Sequence, residues 1–535
     1  MIPAKDAITK YYHVSRATYD IEDLPRSRKS TTAQLSVSAC PAWVCPALAA
    51  LVLTLYAAFP TRNYYWDGVS FALAIESPDP LSGLFLHPNH LIYNGIGYVL
   101  WSRLRAFGFD LRALVVLQTL SIIAAVLSVW VLHRLLLRIT NSAYVATSLA
   151  ALFAFSSTWW KFATDADAYI LGTLALIVAA HLTYASKQPR PALIGFVHAW
   201  GMLVHQLAAI FFVPAALHIH RKCGLRTMLQ YGATAGGITL FVYCGAFWLS
   251  QENWSPVAFG RWLTSHSLDV SFSFNPLSNA TVTATSYIRL FFGGRANLLS
   301  QFWGPFFIVV VAGLVILVVK LLLQFRGRWK DLCLFDASAM LDTELRFPIL
   351  WVAAYAAFLF FWLPNNTFYK LFLLPGIILI LAQVLAKYSG PRRYRLALFT
   401  AAVALANFAF SIFPYSHVEA NKPLSFALDM QRRWSDRTVV YYASFPPDNW
   451  IIRYFNPATT WKKMKPGDLT GFEREATQDV QSGHDVWIDT TAADALAGSG
   501  AIFSSHYGAV RELVNSRHRI RFALWRPRGV DSYHR

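Results

Sequence analysis

Apolar residues run along this chain in long stretches broken by short polar ones, and the stretches are too continuous for the one-sided helices of a globule. A spanning helix needs about 20 mainly apolar residues. Eleven stretches are candidates: 38–59, 111–135, 142–158, 168–185, 191–202, 206–220, 229–249, 303–325, 347–363, 369–387 and 396–413. The fifth and sixth are short enough to form one broken helix. After residue 413 the pattern changes. Short apolar runs, Thr438-Val439-Val440-Tyr441-Tyr442 and Asp485-Val486-Trp487-Ile488, alternate with helix-like segments, which predicts a small α/β domain. The chain thus divides into a polar segment 1–37, a membrane module 38–413 and a C-terminal domain 414–535.

Composition excludes a water-soluble globule for most of the 535 residues, because 55% are hydrophobic and only 14% charged, with a mean hydropathy of +0.38. The predicted fold class is therefore a polytopic α-helical membrane protein with a small outer α/β domain. Basic clusters set its orientation, since Lys and Arg in short loops favour the cytoplasmic side. They occur at Arg26, Arg28 and Lys29, at Arg134 and Arg138, at Lys187 and Arg190, at Arg221 and Lys222, at Arg326, Arg328 and Lys330, and at Arg392, Arg393 and Arg395. With eleven spans all six clusters share one face. The N-terminus is then cytoplasmic and the C-terminal domain extracytoplasmic, in a multi-pass protein of the cell inner (plasma) membrane, with membrane lipids as its surroundings.

The net charge of +18 reads as topology and not as nucleic-acid binding, because no basic stripe with interleaved aromatics occurs in a soluble segment. No cleavable signal is expected, so the first span should remain as an anchor. Five cysteines, none in the outer domain, imply no disulfide framework.

The regions outside the spans carry the candidate chemistry. The first outer loop, 60–110, is long enough to be functional. It holds Tyr64-Tyr65-Trp66-Asp67-Gly68, then His87-Pro88-Asn89-His90, then an apolar stretch ending in Arg103, Arg105 and Phe107-Gly108, which reads as an interfacial helix. A short turn, Trp159 through Asp167, carries Asp165 and Asp167. A further outer loop, 250–302, carries Arg289 and Arg295.

The order of these motifs resembles the GT-C superfamily of membrane glycosyltransferases. An acid follows the first span (Asp67), a His-Pro opens a Tyr-containing helix (His87, Pro88, Tyr93), Phe107-Gly108 follows, and an Arg heads the second span (Arg112). A second acidic motif precedes the fourth span (Asp165 or Asp167, with Tyr169), and Gly201-Met202-Leu203-Val204-His205-Gln206 resembles the glycine-then-cation element of that superfamily. The chain is most similar to the branch of protein O-mannosyltransferases and aminoarabinose transferases, over roughly the first 220 residues. It departs at Gly68, where many relatives have a second acid, at Asn89, where many have a second proline, and at His205, where Lys is common.

The resemblance implies an inverting transfer of sugar from a polyprenyl-phosphate donor to an acceptor hydroxyl on a protein, lipid or polysaccharide. Asp67 would be the base. His205, Arg289 and Arg295 would hold the phosphate, for which Arg offers bidentate geometry. Asp165 or Asp167 would orient the acceptor or help a divalent cation, the one cofactor left open, and His87 and His90, three apart, could share a face toward such a metal. Each residue also has a plainer reading. Asp67, Asp165 and Asp167 could be helix caps, the histidines could be hydrogen-bonded core residues, and the arginines could face lipid headgroups. The alternative function is a transporter or flippase for a lipid-linked glycan, and a third reading is a binding scaffold. An enzyme should place Asp67 at the floor of an outward cavity; a flippase should show a path across the bilayer.

Overall fold

The computed structural model describes residues 41–77, 85–185, 189–250, 254–265, 272–294, 301–325, 343–386, 393–444, 447–465, 468–489, 491–492 and 495, and the strands 507–515 and 520–527. The helices of the first half are α1 (Val44–Ala58), α2 (Trp66–Ile75), α3 (Tyr93–Ala106), α4 (Ala113–Thr140), α5 (Ala143–Ala154), α6 (Ser157–Ala163), α7 (Ala168–Ala185) and α8 (Pro191–Val204). They are followed by α9 (Phe212–Cys223), α10 (Leu225–Ser250), α11 (Pro256–Leu263), α12 (Pro276–Phe291), α13 (Phe307–Phe325), α14 (Thr343–Phe361), α15 (Leu374–Ala386) and α16 (Arg393–Asn407).

Each of the eleven apolar stretches contains helix. Among the described residues, three helices are long and apolar enough by themselves to cross a membrane: α4, α10 and the continuous Arg395–Tyr415. A fourth span results if the bent pair α6 and α7, which meet at 112°, is counted as one. The others are shorter because the sequence stops them. Pro191 opens α8, and His205 leaves the helical region at its end with φ −155°. Asn141 ends α4 in the left-handed region at φ 49°, and Ser142 caps α5 by accepting the Val145 amide at 3.4 Å.

The described residues of the segment 60–110 form α2, a 3-10 turn over Pro88–His90 and α3. The expected interfacial helix is α3, which ends where Gly108 takes φ +88°. Two contacts fasten this loop to the bundle. Tyr243 donates to the Pro88 carbonyl at 2.7 Å, and the Ile92 amide donates to the Leu203 carbonyl at 3.2 Å, next to the break between α8 and α9.

The C-terminal region comprises α17 (Lys422–Gln431), β1 (Thr438–Tyr442), α18 (Pro447–Phe455), β2 (Thr460–Lys463), α19 (Leu469–Gln481), β3 (Asp485–Asp489), β4 (Tyr507–Asn515) and β5 (Ile520–Pro527). The five strands form one sheet in the order β2-β1-β3-β5-β4, with β1 parallel to both β2 and β3 and the last two strands antiparallel. Strand-helix alternation produces the parallel part, as expected for such crossovers. The domain is tied to the module through polar contacts. Asn421 donates to the Arg62 carbonyl at 2.8 Å, and the Tyr454 hydroxyl donates to Glu76 at 2.9 Å while accepting the Leu114 amide at 3.0 Å.

Candidate functional site

Three carboxylates converge where α2 begins and α7 begins. Asp67 is the second residue of α2 and accepts from the Tyr169 hydroxyl at 3.3 Å. Asp165 and Asp167 lie in the turn between α6 and α7 and are fully buried. Gly68 makes the approach possible, since a Cβ there would collide with the Ala166 carbonyl oxygen. The glycine that stands where many relatives have a second acid is thus what lets the acidic turn pack against Asp67.

The three acids are held differently. Asp165 accepts the Tyr65 amide and the Ala166 amide, both at 2.9 Å, and faces Lys161 at 3.9 Å, one helical turn away. Asp167 has neither carboxylate oxygen in a well-formed hydrogen bond among the described residues, although the amides of Ala168 and Tyr169 lie near it. Its backbone is fixed from α4 by Ser121. On the same helix Gln118 donates to the carbonyls of Thr61 and Thr164 at 3.0 and 2.9 Å, clamping the two loops together.

Burial raises the pKa of all three. For Asp67 it does so to about 7, opposed by the Tyr169 hydroxyl and reinforced by the negative charge of Asp165. Asp165 is raised by burial against Lys161 and its two amides. Asp167 is raised well above the usual range, first by burial and then by the charges of Asp67 and Asp165. Close, buried carboxylates resist ionising together, so Asp67 is the group of this pair that ionises first.

The histidines gather around Tyr169. His87 caps the 3-10 turn by accepting the Asn89 amide at 3.3 Å. The His90 ring lies 4.7 Å from that of His205, and the Tyr169 ring is 6.2 Å from His90 and 5.0 Å from His205. His205 accepts the Leu207 amide at 3.1 Å and so caps the turn that follows it. Sequence reasoning did not single out Tyr169 as the group that touches Asp67; its place directly after the acidic turn was the available signal.

Two cavities lie near α2. One, of about 490 Å³, is lined by Tyr65, Lys161, Phe162, Arg289, Phe368 and neighbouring residues. The other, of about 380 Å³, is lined by Ser70, Glu76, Arg112, Trp450 and neighbouring residues. Asp67 lines neither, so these two cavities do not meet the expectation that Asp67 forms a cavity floor. The rings of Tyr65, Phe162 and Phe368, which line the first, pack with Tyr169, the residue whose hydroxyl Asp67 accepts. Arg289 is positioned by its contact to Asn365 at 3.5 Å, and its carbonyl accepts from Thr158 at 3.0 Å. Lys161, absent from the sequence-based candidates, shares this cavity; its spacing of four from Asp165 was the clue. Arg295 lies outside the described residues. Among the described residues no group of three or more His, Cys, Asp or Glu is arranged to hold a metal ion, and Asp165 already uses both oxygens on amides.

Two solved structures of ArnT from Cupriavidus metallidurans, one bound to undecaprenyl phosphate and one in the apo state, match this architecture. Each gives a TM-score of 0.54 over 90% of this chain and 97% of theirs, at 12% and 13% sequence identity. The chain has the ArnT fold. The match extends past the motif-bearing first 220 residues, because 90% of 535 residues exceeds the 413 that end the membrane module. The GT-C resemblance read from the motifs therefore holds at the level of the fold. No protein-family model matches the chain, and no curated protein matches it.

Proposed function

We propose that this protein is an inverting membrane glycosyltransferase that moves a sugar from a polyprenyl-phosphate donor to an acceptor hydroxyl on the outer face of the inner membrane. The observation that carries the reading is Asp67, a carboxylate fixed by a helix start and Tyr169 beside two more buried acids, with its pKa raised to about 7. A base poised near neutral pH is what proton removal from a hydroxyl requires. The ArnT fold, seen with undecaprenyl phosphate in one of its structures, supports a lipid-phosphate donor.

In the proposed step the acceptor oxygen bonds to the anomeric carbon as Asp67 takes its proton. The bond from that carbon to the phosphate oxygen breaks on the opposite face, and the polyprenyl phosphate leaves with the electron pair. That leaving group needs cations and no general acid. Lys161 and Arg289 share the 490 Å³ cavity and would hold it. Asp165 anchors the Tyr65 amide and keeps the acidic turn against Asp67. Asp167, whose carboxyl burial holds well above the usual carboxylate range, would orient the acceptor, and His205 with His90 would orient Tyr169.

Steady-state kinetics with donor and acceptor varied separately test the assignment. Lys161→Ala and Arg289→Ala should raise the donor KM or lower kcat as leaving-group stabilisation is lost. His205, expected to hold the phosphate, lines neither cavity and caps the turn after it, so His205→Ala should lower kcat with the donor KM unchanged. Unaltered donor dependence in both cation variants would remove that cavity from donor binding.

A further inference from the structure

Asn407 is a buried side-chain amide at the end of α16, inside the continuous apolar helix Arg395–Tyr415. A polar group within a span is costly unless it is paired, and its partners say what it is for. Its oxygen accepts the Gly293 amide at 3.1 Å, and its nitrogen donates to the carbonyls of Phe155 and Phe291 at 2.8 and 2.7 Å. Both N–H groups are used. One side chain thus ties together the residue that ends α5, the last residue of α12 and the segment that follows α12. Directly after Asn407 the helix widens into a π-turn over Phe408–Ile412, an irregularity often found at functional sites.

All three tied segments lead into the wall of the 490 Å³ cavity. Phe155 stands just before Ser157 and Thr158, Phe291 stands just after Arg289, and Gly293 and Gly294 line the cavity themselves, as Ser411 does from the π-turn. The fit is close. A Cβ on Gly293 would collide with Ser157, and one on Gly294, which has φ +105°, would collide with the Phe410 carbonyl of the π-turn. The segment is therefore wedged between α6 and the π-turn, with Asn407 as its polar pin. Among the described residues the Arg289 guanidinium makes one hydrogen bond, at 3.5 Å to Asn365. The reach of this cation is then set chiefly by its backbone, which Thr158 holds at the Arg289 carbonyl and Asn407 holds at Phe291.

We infer that Asn407 is a positioning residue of the donor site, which fixes the end of α12 and thereby where Arg289 meets a lipid phosphate. The inference rests on the donor reading of this cavity. A misplacement of about 1 Å at a reacting site can cost about 10²-fold, so loss of the pin should be visible in binding. The test titrates undecaprenyl phosphate, followed by thermal shift, into the purified full chain in detergent as wild type, Asn407→Gln, Arg289→Ala and the double variant. Asn407→Gln keeps the amide but lengthens its arm, and Gly293→Ala moves the same segment from the side of α6 without altering the span, should Asn407→Gln fail to fold. Either change should weaken binding about tenfold or more, a loss of about 1.4 kcal/mol or more. In the Arg289→Ala background the same change should cost nothing further, because the residue acts through Arg289, whereas a general loss of packing would add to the first loss. Wild-type affinity in both Asn407→Gln and Gly293→Ala, or losses that add to that of Arg289→Ala, overturns the inference and leaves the donor reading standing. A wild type that does not bind undecaprenyl phosphate overturns the donor reading and the inference with it.

Discussion

At the scale of single residues, Asp67 has the environment of a base and not of a helix cap. Its carboxylate takes a hydrogen bond from Tyr169 and none from the first-turn amides that a capping residue would serve. Asp67→Asn keeps the size and the Tyr169 contact, so donor binding should persist while kcat falls by about 10²- to 10⁴-fold; stopped assays of the purified variant check this. The pH dependence follows from the same site. The base acts when ionised, so kcat/KM should rise with pH through about 7 and level off above it. Asp165 contributes negative charge that raises the Asp67 pKa, so Asp165→Asn should move the inflection to lower pH. A shift upward, or none, would detach the profile from this pair. The position of Asp67 was legible in the sequence because a lone acid just past a span is conspicuous. Its partner Tyr169 was not, because the two are 102 residues apart and meet only in the folded chain.

At the scale of elements, the site depends on two helix starts meeting, and Gly68 is where they meet. Gly68→Ala should force α2 away from the Ala166 carbonyl, costing about 1–3 kcal/mol by overpacking and lowering turnover more than donor affinity. Thermal unfolding and kinetics on the same sample distinguish the two effects. Wild-type stability with unchanged turnover would show that the contact is not needed. Most of these elements were readable from periodicity: α3 ends at the expected Phe107-Gly108, and the alternation after 413 does build a sheet. The spans were less so. Hydropathy marks where apolar residues are, but Pro191, His205 and the 112° bend before α7 fix helix ends between the apolar runs, leaving several helices shorter than a bilayer. Arg112 stood out at the head of the second span, but its partners Glu76 and Tyr454 carried no sequence signal, since the cluster is brought together from 36 to 378 residues apart.

At the scale of the whole molecule, the account requires the acidic cluster and the C-terminal domain to share the outer face. Reporter fusions check this. A reporter after Arg535 should appear outside the cytoplasm and one after Lys222 inside; the same side for both would overturn the eleven-span topology. On the proposed function Asp67 acts as the base of a sugar transfer at that face. The measurement that tests this most directly is a transfer assay on the purified protein with a panel of polyprenyl-phosphate sugars, comparing wild type with Asp67→Asn. The account predicts that the wild type releases free polyprenyl phosphate, transfers the sugar with inverted anomeric configuration, and loses this activity in the variant. Transfer with retained configuration, or equal rates in the two proteins, would contradict it.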